Sequence, residues 1–251
     1  MTKFQDRLAQ DGILIADGAT GTTLQKAGLP SGMAPERWNL ENPDAIRALH
    51  RGYVEAGSDL ILTNTFGGSR LRLEMKDLAD RTHEINLAAA RLAREVAGDE
   101  VLVLGDMGPT GQLMEPMGTL TYEAAVDVFA EQAAALAEGG ADAILIETMS
   151  DLNEAKAAVE GARRATRLPI HRPLVTADKS DITARAREVG TYRDSTIPAG
   201  CNRIAPTYPE TNATLEQVRD AEPDALFEWA REAAENCELV PVRERAEEAT
   251  P

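Results

Sequence analysis

Aromatic residues are scarce. Phe, Trp and Tyr make up 4% of the 251 positions, whereas hydrophobic residues make up 43%. The core must therefore be built from aliphatic side chains, Ala and Met, in one large domain or two small ones. Cysteine is rarer still. Cys201 and Cys237 alone are too few for a disulfide framework in a chain of this length, which points to a reducing, cytoplasmic compartment. Positive charge is short as well. Against 42 Asp and Glu stand 26 Lys and Arg, a formal charge of −16. That excludes the basic footprint of a nucleic-acid-binding surface and attraction to anionic membranes. No apolar run approaches the roughly 18 residues of a membrane span. The opening Met1-Thr-Lys-Phe-Gln-Asp-Arg7 has no apolar stretch of the kind a secretory leader carries. His50, His83 and His171 are too scattered for a His-rich metal site.

What the chain does have is a series of short apolar runs that end in polar residues. Ile13-Leu-Ile-Ala-Asp-Gly-Ala-Thr-Gly-Thr-Thr23 reads as a short buried strand. Asp17 stands at its C-terminal end, and Gly18 and Gly21 allow a tight turn beside it. Asp59-Leu-Ile-Leu-Thr-Asn-Thr-Phe66, Val101-Leu-Val-Leu-Gly105 and Ala141-Asp-Ala-Ile-Leu-Ile-Glu147 repeat the pattern. Between them lie helical stretches. Residues 1–11 are amphipathic. Asn42 is placed to cap a helix with Pro43 in its first turn, and Gly57 ends that helix. A helical region from Ser69 to Val96 breaks near Asp77. Thr121 caps a helix that Gly139 and Gly140 stop, and Asp151 begins another that runs through Ala165. The Pro30–Leu40 stretch reads as a loop anchored by Trp38 packing, and Asp106 and Glu115 as solvent-exposed loop acids.

Strands that are apolar throughout and alternate with helices imply a parallel sheet covered on its faces. Acids and amides from several strand ends favour a (β/α)8 TIM barrel over an open sheet, because a barrel gathers its site from many strand ends. The pattern decays after Pro169. Leu174-Val-Thr176 is a short candidate fifth strand, Asp181–Val189 a candidate helix, residues 190–212 have no periodicity, and Thr214–Cys237 is again amphipathic. The barrel is thus incomplete or divergent after strand five, with a barrel portion at residues 1–170 and a divergent region at 171–251.

Five segments, taken in order, carry a resemblance: Asp17-Gly-Ala-Thr-Gly-Thr22, Glu36-Arg-Trp-Asn-Leu40, Gly57–Phe66, Gly108-Pro-Thr-Gly111 and Glu147-Thr-Met-Ser-Asp-Leu-Asn-Glu-Ala-Lys156. Over about residues 10–168 the chain resembles the homocysteine-binding methyltransferases. That family includes betaine–homocysteine methyltransferase and the homocysteine module of cobalamin-dependent methionine synthase. The resemblance implies a (β/α)8 barrel and methyl transfer to the thiol of homocysteine, forming methionine. The donor would be a sulfonium or betaine compound, or a methyl-corrinoid protein. By position, Asp17 and Gly18 match residues that hold the amino acid end of homocysteine, Glu147 matches their partner, and Asn64 matches a residue close to the metal.

That family uses zinc held by three cysteines, one in a Gly-x-Asn-Cys stretch and two in a Gly-Gly-Cys-Cys-Gly stretch, to activate the thiol. Here there is no Cys-Cys pair, and Gly200-Cys-Asn202 has the residue types in another order. Cys201 is the best remaining candidate ligand, and Cys237 falls in a helical pattern. The alternative is a truncated or frame-shifted remnant, or an amino-acid-binding subunit, whose incomplete barrel leaves strand edges free to pair with another copy.

Overall fold

The computed structural model describes residues 3–11, 14–171 and 179–188. The chain divides into two compact units, Met1–Lys179 and Ser180–Pro251. In the first, helix α1 (Lys3–Asp11) is followed by α2 (Gly21–Lys26), a 3-10 turn (Pro35–Arg37), α3 (Trp38–Glu41), α4 (Pro43–Glu55) and strand β1 (Leu60–Leu62). Then come α5 (Arg70–Glu74), a 3-10 turn (Ala79–Arg81), α6 (Thr82–Ala97), β2 (Leu102–Met107), α7 (Tyr122–Glu138), β3 (Ala143–Ile146), α8 (Leu152–Ala165) and β4 (Ile170–His171). Of the second unit the described part is helix α9 (Lys179–Glu188), which begins at the boundary.

The four strands form one sheet in the order β1-β2-β3-β4, and every pairing is parallel. Side chains alternate across a strand, so each strand faces two ways. Leu60, Leu102, Leu104, Ala143 and Leu145 share one apolar cluster with Phe4 of α1. Ile61 and Val103 pack instead on Ala93 and Ala97 of α6. Met107, Ile144 and Ile146 pack on Phe129, Ala133 and Leu136 of α7 and on Ala157, Ala158 and Ala162 of α8. Small residues set the helix spacing. A Cβ on Gly161 would come within 2.6 Å of the Val126 carbonyl oxygen, so α7 and α8 meet there backbone to side. A Cβ on Gly105 would meet Leu136 at 3.0 Å.

Most helix boundaries follow local chemistry. Thr121 accepts from the Ala124 amide and Asp151 from the Asn153 amide, each satisfying a first-turn N–H that has no partner within the helix. Gly57 at φ 94° and Gly140 at φ 98° end α4 and α7 in conformations that suit glycine. Asp77, at φ 56°, lies in the break between α5 and α6. Trp38 is buried among Leu24, Leu29, Ile46 and Leu49, the packing anchor its segment called for.

Several sequence expectations need correction. Ile13 lies outside the described residues, and the rest of the first run is not a buried strand. Only Ala16 bridges to Leu60, and Ile15 is 61% exposed. The reason is that this segment has a neighbour on one side alone among the described residues. Asn42 makes no side-chain cap; Pro43, which has no N–H to satisfy, starts α4 without one. The Pro30–Leu40 stretch is not all loop, since a 3-10 turn and α3 form within it. The strand after Pro169 is Ile170–His171; Leu174–Thr176, residues 190–212, Thr214–Cys237 and both cysteines lie outside the described residues. Among the described residues no helix is long and apolar enough to cross a membrane.

Candidate functional site

The strand ends converge on a cavity of about 600 Å³ lined by Gly18, Asn64, Glu36, Arg72, Asp106 and Glu147, among others. Strand alternation explains two of its acids. Asp106 follows Leu102 and Leu104 on the inner face of β2, and Glu147 follows Ala143 and Leu145 on that of β3. The apolar inner cluster thus turns acidic at its C-terminal end.

Asp17 is tied to the sheet from both sides. Its amide donates to the Leu60 carbonyl at 3.0 Å, and its Oδ2 accepts from the Leu62 amide at 3.0 Å. Its Oδ1 is buried and has no hydrogen-bond partner among the described residues. Burial pushes the carboxyl up to about 6, against the Leu62 hydrogen bond, and the neighbouring Glu147 charge adds to the rise. Burial raises Glu147 too. Thr148 follows at φ 58°, a region a β-branched residue seldom occupies. Gly18 packs against Tyr53, where a Cβ would meet the hydroxyl oxygen at 3.2 Å, and that hydroxyl donates to the Ala19 carbonyl at 2.9 Å.

Asn64 is fixed rather than free. Its Nδ2 donates to the Pro35 carbonyl at 2.8 Å and to Asn39 Oδ1 at 2.9 Å, and its own carbonyl accepts from Asn39 Nδ2 at 2.9 Å. It clamps the 3-10 turn onto the end of β1. Gly18, Asn64 and Glu147 therefore line one cavity, with Asn64 as part of its wall, and Asp17, next to Gly18 in the chain, feels the charge of Glu147 without lining the cavity itself. Cys201 falls outside the described residues.

The sequence reading missed three acids. Asp106 is not a loop acid but the fifth residue of β2, 4% exposed. The strand runs two residues past Gly105 because Asp106 and Met107 pair with Leu145 and Ile146. Its amide donates to Thr63 Oγ1 at 2.9 Å and its carbonyl accepts from Thr65 Oγ1 at 2.7 Å. Its Oδ1 has no partner among the described residues. Burial first, then the charges of Glu147, Asp17 and Glu36, push its carboxyl well above the usual range. Glu36 is buried and accepts from the Gly67 amide at 2.7 Å. Glu154, on the inner side of α8, accepts from both the amide and the hydroxyl of Thr110, at 2.8 and 2.6 Å, and so holds the Gly108–Gly111 loop. The inner-face periodicity of β2 was the signal available for Asp106; nothing local marked Glu36. Glu115 is exposed, as read.

A cavity whose acids are partly desolvated and whose charges repel one another stabilises a bound cation such as an ammonium. The comparisons with known proteins fit that chemistry. The homocysteine S-methyltransferase family matches residues 14–186. The chain belongs to that family. It is 38% identical over 220 residues to methionine synthase from Mycobacterium tuberculosis, covering 81% of this chain and 18% of the relative. Its fold matches the metallated homocysteine methyltransferase MmuM of Escherichia coli with TM-score 0.62 and 21% identity, covering 75% of this chain and 74% of the other. The fold is accordingly that of a TIM-barrel methyltransferase, with a partial parallel sheet among the described residues. A second likeness overlaps the first. Residues 155–227 match the thiamine biosynthesis protein ThiI family. A probable tRNA sulfurtransferase from Halobacterium salinarum is 62% identical over 71 residues, covering 28% of this chain and 18% of the relative. The chain thus spans about a fifth of the length of these curated relatives.

Among the described residues no group of three His, Cys, Asp or Glu side chains could hold a metal ion. The acids of the cavity are hard oxygen donors, not the thiolates that a zinc–thiol centre uses.

Proposed function

We propose that the cavity binds homocysteine and that the reaction it serves is methyl transfer to the homocysteine thiol, forming methionine. The observation that carries this reading is the unpartnered, buried Oδ1 of Asp17 beside Glu147, at the end of a parallel sheet in a chain of this family. Asp17 and Glu147 take the ammonium, which neutralises the repulsion between them. Backbone amides around Gly18 take the carboxylate, and close packing on Tyr53 keeps that turn in place. Asn64 orients the 3-10 turn that closes the wall. These residues bind and orient the amino acid. No step is routed through a metal, because the described residues do not supply its ligands. The barrel portion, residues 1–170, carries the site, and 171–251 is a separate, divergent region.

The test is calorimetric titration of the full chain with L-homocysteine. Wild type is expected to bind, and Asp17→Asn to bind about tenfold or more weakly, as loss of a charge-assisted hydrogen bond predicts. Equal affinity in the two proteins would overturn the reading.

A second reading rests on the sulfurtransferase likeness. A shifted reading frame would not yield a segment 62% identical to a protein of another family, so that identity favours a junction of two coding sequences. On this reading the chain is a non-catalytic remnant that retains the amino acid pocket, and homocysteine binds without methyl transfer.

A further inference from the structure

Asp106 is the acid that the proposed site leaves without a task. It lines the cavity, is 4% exposed, and its Oδ1 has no partner among the described residues. A buried carboxyl oxygen without a donor costs stability. The backbone that carries it is held on both flanks. The Asp106 amide donates to Thr63 Oγ1 at 2.9 Å, its carbonyl accepts from Thr65 Oγ1 at 2.7 Å, and the two threonine hydroxyls meet at 2.6 Å. Gln132 Nε2 of α7 donates to the same carbonyl at 3.4 Å.

Strand register places Asp106 between the two acids assigned to the ammonium. The Leu62 amide that holds Asp17 Oδ2 belongs to β1, and Leu62 pairs with Leu104 of β2. Asp106 is the next residue of β2 on the face of Leu104. On its other side Asp106 pairs with Leu145 of β3. Glu147 follows Leu145 on that face, and its amide donates to the Met107 carbonyl at 3.2 Å. Because β2 lies between β1 and β3, Asp106 stands between Asp17 and Glu147 at the floor of the cavity.

These acids number three, as do the N–H donors of a primary ammonium. Among the described residues no group of three such side chains could hold a metal ion. An ammonium asks for a wider spacing, since it meets carboxylate oxygens at about 2.8 Å where a metal–oxygen bond is about 2.1 Å. In the free cavity, burial and the neighbouring acids hold the Asp106 carboxyl well above the usual range. An ammonium in contact brings the opposite charge that favours its ionised form.

We infer that Asp106 accepts the third N–H of the bound amino acid's ammonium and so restricts the cavity to ligands with a primary amine. The inference rests on the homocysteine reading of the same cavity and adds to it a residue that lies outside all five family-like segments. Its test is calorimetric titration of the full chain at neutral pH with L-homocysteine and with N-methyl-L-homocysteine. A methyl group on the nitrogen removes one donor and fills the space in front of the third acceptor. Wild type is expected to prefer L-homocysteine about tenfold or more. Asp106→Ala removes the acceptor and opens that space. It should bind L-homocysteine about tenfold or more weakly and the N-methyl compound no worse than wild type does, so that the preference disappears. Asp106→Asn keeps the shape without the charge. It should also bind L-homocysteine more weakly, with a thermal midpoint at or above that of wild type, which separates lost contact from lost folding. Three outcomes overturn the inference: no preference in wild type, a preference that survives in Asp106→Ala, or an unchanged L-homocysteine affinity in Asp106→Asn. Failure of the homocysteine reading is separately visible, because wild type would then bind neither compound or Asp17→Asn would leave homocysteine binding unchanged.

Discussion

Asp106 is a buried acid with one oxygen unpartnered and three other acids acting on it. Its folded pKa is raised, so the folded state favours the protonated form. The stability it contributes is complete below the ordinary carboxylate pKa and is lost as pH rises through the higher folded value. Asn has the shape of the protonated acid and does not titrate. Asp106→Asn is therefore expected to match wild type near pH 4 and to be more stable at pH 8, by about 1 kcal/mol or more; urea unfolding at the two pH values checks it, and a gap that narrows with pH would contradict it. His50 works in the opposite sense. It is 1% exposed, neither ring nitrogen has a partner among the described residues, and burial pushes it down to about 4. Its contribution is present above the unfolded value near 6.5 and is lost as pH falls through 4. The full loss is about 3 kcal/mol. His50→Leu should flatten the acid limb of a thermal-midpoint profile between pH 6.5 and 4.

Among the elements, α8 does more than cover the sheet. Glu154 is buried and satisfies two groups of Thr110, itself fully buried. Glu154→Ala leaves a buried amide and hydroxyl without an acceptor, at a cost of about 2–4 kcal/mol, whereas Glu154→Gln keeps one carbonyl acceptor and should cost less than half as much. Denaturant midpoints of the two variants test the ordering. The element scale also shows what was legible in the sequence. Apolar runs 60–62, 102–104 and 143–146 each became a buried strand because both faces are covered, and Thr121, Asp151 and Gly57 announced their helix ends by local chemistry. Asp17 and Glu147 stood out because each ends such a run. Asp106 did not, because the strand end was drawn at Gly105. Pairing with β3, a contact between residues nearly 40 apart, is what carries β2 onward and turns a loop acid into the floor of the cavity. Glu36 was hidden for the same reason, since it is held by the amide of Gly67, 31 residues on, as was the place of Arg72 beside Gly111 in another loop.

At the scale of the molecule, two likenesses meet in one chain. The homocysteine S-methyltransferase match ends at residue 186 and the ThiI match begins at 155, so α8 and β4 lie where both apply. The sheet that results has β1 and β4 at its margins among the described residues. Next to β1, the run from Leu14 to Asp17 contributes a single bridge, and Ile15 is 61% exposed. Unpaired backbone beside an exposed β-branched residue is a template for pairing with another strand, and a charged residue at such an edge opposes it. The full chain is accordingly expected to self-associate in a concentration-dependent manner, and Ile15→Lys to shift it towards the monomer in sedimentation velocity experiments. Because Ile15 is mostly exposed, the substitution should leave the thermal midpoint of the monomer within about 0.5 kcal/mol of wild type. Loss of stability together with loss of association would show that the segment is covered within the chain. A wild type that is monomeric at every concentration would show that its edge is closed by other means. An unchanged oligomer in Ile15→Lys would place the contact on another surface.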